Sequence, residues 1–175
     1  MESPVILQVV GYQNSGKTTV ITKLVKRLKE HQIQTGVIKH HGHNDRLDLN
    51  DSGKDTERHR TAGASITSVI SAKNSILSMD TELSINQLIE IYTVLKMDCI
   101  IIEGYKNIQY PRAVLLRDKK GDIDLFNRSE TVIALIHEND VKINTNPPQF
   151  KWDEEKWLDF LVQYILNGYK ERKGS

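Results

Sequence analysis

Residues 5–30 constrain this chain more than any others: VILQVV, then GYQNSGKTT, then VITKLVKRLKE. The first run is short, apolar and β-branched and stops at a glycine, which reads as a buried strand, Val5 to Val10. From residue 17 to 30 the apolar positions Val20, Ile21, Leu24, Val25 and Leu28 fall on one helical face. Lys23, Lys26, Arg27 and Lys29 surround that face. Between strand and helix, Gly11 and Gly16-Lys17-Thr18 stand at the spacing of a phosphate cradle. TGVIKH (35–40) reads as a second strand. Strand, helix, strand at this spacing is a βαβ unit, with parallel strands and a right-handed crossover.

The rest of the chain continues the alternation. SITSVIS (65–71) and SILSM (75–79), joined by AKN, predict a hairpin, so some strands are expected to be antiparallel. Ser84-Ile85-Asn86-Gln87 has capping-box spacing and opens a helix with Leu88, Ile91, Val94 and Leu95 on its apolar side. CIIIE (99–103) is a continuous apolar run, as in a strand covered on both faces. AVLLR (113–117) and IDLF (123–126) flank the glycine-containing turn DKKGD, and TVIALI (131–136) is a further strand. Asp153 is placed to cap a last helix that turns Trp157, Leu158, Leu161, Val162, Ile165 and Leu166 inward. The expected fold is α/β, a three-layer P-loop architecture with a mostly parallel sheet, as one nucleotide-binding domain over residues 1–175.

The totals narrow the function. A formal net charge of +1 gives no global field toward nucleic acid or a membrane surface, so any anion site must be local. The single cysteine, Cys99, lies in an apolar run and reads as a buried thiol. MESPVILQVVG lacks a basic start, and no apolar run approaches the ~20 residues of a membrane span. The expectation is a cytoplasmic protein.

A phosphate chain is best held by a run of backbone N–H groups at a helix N-terminus. Gly11 lets the chain turn after the strand, and Gly16 admits the phosphate without a Cβ in the way. Lys17 can reach the β- and γ-phosphates, and the Thr18 hydroxyl can ligate Mg²⁺. Gln13, Asn14, Ser15 and Thr19 complete the candidate phosphate contacts. Glu103 ends an apolar strand and precedes Gly104, the position at which P-loop proteins place an acidic residue near the metal. Lys106 follows as a cation for an anionic ligand.

The stretch KHHGHNDRLDLNDSGKDTERHRTAGA (39–64) contains a helical part, about 54–62, without a large apolar residue, so core burial cannot hold it. Ser52 and Asp55 could cap it. As a switch segment it would lie over the nucleotide, with Asp48, Asp51 or Asp55 toward metal or metal-bound water and Lys54, Arg58 or Arg60 toward phosphate charge. His40, His41 and His43 raise a metal site, but neighbours on a strand point to opposite faces, and polar contacts to phosphate or a partner fit them better.

Together GYQNSGKTT, the KH…H…D…GKDT…H…AGA stretch and EGYK (103–106) resemble the MobB family of molybdopterin-guanine dinucleotide biosynthesis proteins. The resemblance implies a GTP-binding protein with weak GTPase activity, usually a homodimer, that works with a molybdopterin-type cofactor and the guanylyltransferase MobA. It carries Gly11, Gly16, Lys17 and Thr18 over as phosphate and Mg²⁺ contacts, and aligns Lys54-Asp55-Thr56 and Glu103 with family motif positions. The family commonly has Phe where Tyr105 stands. GTP rather than ATP rests on the resemblance: NRSE (127–130) precedes the strand at 131–136, and HEND (137–140) after it does not match a guanine-reading Asn-Lys-x-Asp.

The expected chemistry is in-line attack of water on the γ-phosphate, helped by Lys17 and Mg²⁺, with Asp55 or Glu103 orienting water or metal. It should be slow, because no residue clearly positions water as a glutamine does in fast GTPases. The alternatives are a nickel-type metal-delivery GTPase, a small-molecule P-loop kinase and a non-catalytic adapter.

Overall fold

The computed structural model describes residues 3–42, 54–117, 121–127, 131–138 and 146–174. In chain order the elements are β1 Val5–Val10, α1 Lys17–Glu30, β2 Thr35–Lys39, α2 Asp55–Thr61, β3 Ile66–Ile70, β4 Ser75–Met79 and α3 Ile85–Val94. They continue with β5 Cys99–Glu103, β6 Arg112–Leu116, α4 Asp122–Asn127, β7 Val132–His137, β8 Gln149–Lys151, a 3-10 turn Trp152–Glu154 and α5 Lys156–Lys173. The contacts divide the chain into two compact units, Met1–His40 with Ile89–Ser175, and His41–Leu88.

The larger unit holds a six-stranded sheet in the order β2-β5-β1-β6-β7-β8, with every adjacent pair parallel. Central strands of such a sheet are covered on both faces, which is why β5 and β6 are buried throughout. Alternation along β1 sends Val5, Leu7 and Val9 to one face, against Val20, Leu24 and Leu28 of α1 and Trp157, Leu161 and Ile165 of α5. Each such side chain contributes roughly 1.5–3 kcal/mol of transfer free energy. Val10 turns to the other face and packs with Val114, Leu116, Leu135 and Leu125 of α4. Helices on both faces of a parallel sheet make the three layers expected from the sequence.

In the smaller unit β3 and β4 pair antiparallel as a two-stranded sheet of their own. The capping box forms as expected: Ser84 N–H donates to Gln87 Oε1 at 2.9 Å and Gln87 N–H to Ser84 Oγ at 3.3 Å. α2 buries none of its residues, and begins after Lys54 with no side-chain cap hydrogen bond. Ser52, the expected cap, lies outside the described residues.

Three local expectations change. IDLF is helical, within α4, because Leu125 can then face the sheet beside Val114 and Leu135. Asp153 sits inside the 3-10 turn, and the residue before α5 is Glu155, at φ +48°. Val94 and Leu95, expected on the apolar side of α3, are exposed, and α3 buries no residue. Its later half is tied to β2 by polar contact instead: the Tyr92 hydroxyl donates to the Val37 carbonyl at 3.0 Å. Among the described residues no helix is long and apolar enough to cross a membrane.

Candidate functional site

β1 lies inside the sheet between β5 and β6, and its carboxyl end runs directly into residues 11–16 and then α1. Asn14 and Gly16 take positive φ, +59° and +84°, and Ser15 N–H closes the loop onto the Tyr12 carbonyl at 3.2 Å. Left-handed φ is easily adopted by glycine and tolerated by asparagine. α1 therefore starts at Lys17 with its first-turn amides at the loop. Gly16 supplies no side-chain cap, and the first turn contains no acidic residue. The positive end of the helix is thus left without a carboxylate from its own first turn.

Both loop glycines also stand in crowded surroundings, which the sequence did not reveal. A Cβ on Gly11 would stand 2.3 Å from Ser15 Oγ and 3.2 Å from Leu115 Cβ. A Cβ on Gly16 would stand 2.4 Å from Trp152 Cη2. Trp152 reaches the loop from the turn after β8, a strand too short and mixed to be read from its three residues.

Lys17 Nζ donates to the carbonyls of Gly11 at 3.0 Å and Tyr12 at 2.8 Å. Burial lowers the pKa of this ammonium, Glu103 opposes the shift, and Lys106 and Lys39 add to it. Glu103 is buried at the end of β5, in register with Val9 of β1 and Lys39 of β2. Lys39 Nζ lies 3.9 Å from its Oε1. Lys106 Nζ sits 3.9 Å from the centroid of the Tyr12 ring, joining the turn after β5 to the loop after β1.

That turn is unusual in its backbone. Gly104 and Tyr105 both have positive φ, +85° and +52°. Gln8 holds it: this fully buried side chain donates from Nε2 to the Gly104 carbonyl at 2.6 Å and the Tyr105 carbonyl at 2.7 Å. Arg112, the in-register neighbour of Gln8 on β6, is also fully buried and holds the next residues, donating to the Ile108 carbonyl and, at 2.8 Å, to Gln109 Oε1. A polar residue inside VILQVV was the sequence signal for Gln8.

The larger unit thus brings together the loop residues Gly11 to Thr19, Glu103 and Lys106, with Lys39, Gln8, Tyr12 and Trp152 as neighbours that the sequence reading did not assign. Lys54 and Asp55 belong to the smaller unit, where the exposed Asp55 carboxylate lies 3.7 Å from Arg58. Asp48, Asp51 and His43 fall outside the described residues. Among the described residues no group of three or more His, Cys, Asp and Glu side chains is arranged to hold a metal ion. The His40 ring instead packs against Tyr105, with centroids 4.4 Å apart.

A parallel sheet whose inner strand ends in a Gly-x4-Gly-Lys-Thr loop opening a helix defines a P-loop nucleotide-binding fold. Residues 6–138 match the family model Molybdopterin guanine dinucleotide synthesis protein B, and the chain belongs to that family, MobB. It is 35% identical over 162 residues to the probable molybdopterin-guanine dinucleotide biosynthesis adapter protein of Bacillus subtilis (strain 168), covering 91% of this chain and 92% of that protein. The molybdopterin-guanine dinucleotide biosynthesis adapter protein of Escherichia coli (strain K12) is 30% identical over 169 residues, covering 91% of this chain and 93% of that protein. The crystal structure of Bacillus subtilis MobB superposes with a TM-score of 0.80 at 34% identity, covering 91% of this chain and 96% of that one.

Proposed function

We propose that this chain is a GTP-binding adapter in molybdopterin-guanine dinucleotide biosynthesis, acting in the cytoplasm as a homodimer and assisting the guanylyltransferase MobA in handling a molybdopterin-type cofactor. The carrying observation is the loop at residues 11–19, shaped by Asn14 and Gly16 at the carboxyl end of β1, in a chain of this family. The amides of residues 13–19 would take the phosphates. Lys17 now donates to neutral carbonyls, and anionic phosphate oxygens would compete well for it, because they add a charge–charge attraction that the carbonyls lack.

Thr18 and Glu103 offer a hydroxyl and a carboxylate, the oxygen donors that Mg²⁺ takes beside phosphates. The bound ion would neutralise charge on the β- and γ-phosphates. Glu103 would hold it directly or through water, with Lys39 beside that carboxylate and Lys106 adding positive charge at the rim. Turnover would be slow, since none of the assigned groups clearly positions water as a glutamine does in fast GTPases.

Calorimetric titration with GTP and with ATP, each with Mg²⁺, tests the reading. GTP should bind more tightly than ATP, and Lys17→Ala should weaken GTP at least about tenfold with an unchanged circular dichroism spectrum. Equal GTP affinity in the wild type and the variant removes the phosphate role from this loop.

A further inference from the structure

We infer that Trp152 is the shelf against which the purine base of the bound nucleotide packs; this rests on the nucleotide reading of the loop. β1 delivers the loop with β5 and β2 on one side and β6, β7 and β8 on the other. The carboxyl ends on the first side present Lys39 and Glu103, followed by Lys106. The carboxyl ends on the second side present Arg117 and Glu138, paired with each other at 3.2 Å, and then Trp152.

A nucleoside triphosphate on the loop has one highly charged end and one flat, weakly polar end. Ligands of open α/β sheets lie beyond the carboxyl ends of the strands, so the two ends must leave the loop along that edge. The terminal phosphates belong with the lysines and the carboxylate. The base then runs toward β8, where the indole of Trp152 touches Gly16, with Cη2 2.4 Å from a Cβ built there.

The indole is fixed before any ligand arrives. It stacks on Trp157 at 6.0 Å between centroids and 23° between planes. The Trp157 indole N–H donates to the Trp152 carbonyl at 3.1 Å. Trp157 is fully buried, whereas Trp152 keeps part of its surface open. A held, partly open aromatic ring loses little freedom when another ring stacks on it. Stacking is tolerant of base identity, so Trp152 would supply affinity for purines and leave the choice of guanine to other groups.

The test compares GTP with inorganic tripolyphosphate, which carries the phosphates without a base. Both are titrated, with Mg²⁺, into wild type, Trp152→Ala, Trp152→Phe and Lys17→Ala. Trp152→Ala should weaken GTP on the order of tenfold and leave tripolyphosphate within about twofold, with Trp152→Phe recovering most of the loss. Lys17→Ala should weaken both ligands. Equal weakening of both ligands by Trp152→Ala makes the indole a support for Gly16 alone and overturns the inference, as does an unchanged GTP affinity. A wild type that takes neither ligand overturns the nucleotide reading and this inference with it. Should Trp152→Ala not fold, Trp157→Phe leaves Trp152 as the sole tryptophan of the two. Its emission should be quenched by GTP and not by tripolyphosphate, and an unchanged emission on saturation with GTP overturns the inference.

Discussion

At the scale of single residues, the loop shows how one amino acid can answer two demands. Gly11 has an ordinary backbone, so its need for hydrogen in place of Cβ comes from Ser15, whose Oγ would lie 2.3 Å away. Ser15 is buried and its Oγ has no hydrogen-bond partner among the described residues. Gly11→Ala should therefore overpack the loop and destabilise the protein by about 1–3 kcal/mol. Combining it with Ser15→Ala, which removes the crowding oxygen, should return part of that loss as a coupling free energy between neighbours. Denaturant unfolding of the two single variants and the pair measures this. A Gly11→Ala protein as stable as wild type, or a strictly additive pair, means the loop relaxes freely and its shape does not depend on the glycine.

At the scale of elements, the sheet and its layers were legible because burial writes itself into pattern. CIIIE reads as a strand covered on both faces, and Val20, Ile21, Leu24 and Leu28 of α1 recur at helical spacing and are buried. β8 was not legible: Gln149–Lys151 is only three residues long and has mixed polarity. IDLF was read beside a turn because its four residues carry no helical period, and only the neighbouring sheet face decides their state. For the site, Gly11, Gly16, Lys17, Thr18 and Glu103 were visible as a motif, whereas Trp152 comes from far along the chain and enters through tertiary contact. Gln8 lies between these cases, since its place in β1 was visible but its reach into the next turn was not. Gln8→Leu removes both donors to Gly104 and Tyr105, leaving two carbonyls of a positive-φ turn without those partners. The cost should be about 1–3 kcal/mol. It should appear locally as faster hydrogen exchange at Gly104 and Ile108, whose amides bond to the Val9 and Tyr105 carbonyls at 3.1 Å each. Exchange protection equal to wild type at both amides would show that the turn holds its own shape.

At the scale of the whole molecule, the smaller unit has an excess of apolar surface. The register of β3 with β4 puts Ile66, Leu77 and Ile70 on one face of the hairpin and Val69 with Ile76 on the other. Ile70 is 78% exposed and Ile76 63%, and the other three are exposed as well. A two-stranded sheet is marginal in water without a covered face, and its outer edges offer unpaired backbone groups to another strand. A second copy of the chain supplies both an edge and an apolar face of matching chemistry, which is how the proposed homodimer would form. The two faces can be told apart, because a lysine on the covered face must bury its charge or break the contact. Ile70→Lys and Ile76→Lys should each fold as well as wild type in the larger unit, where neither residue lies. The variant on the pairing face should sediment as a monomer at concentrations where wild type is a dimer, and the other should remain dimeric. If wild type sediments as a monomer throughout the micromolar range, the hairpin is not a self-pairing edge. If both variants remain dimeric, the copies meet elsewhere on the chain.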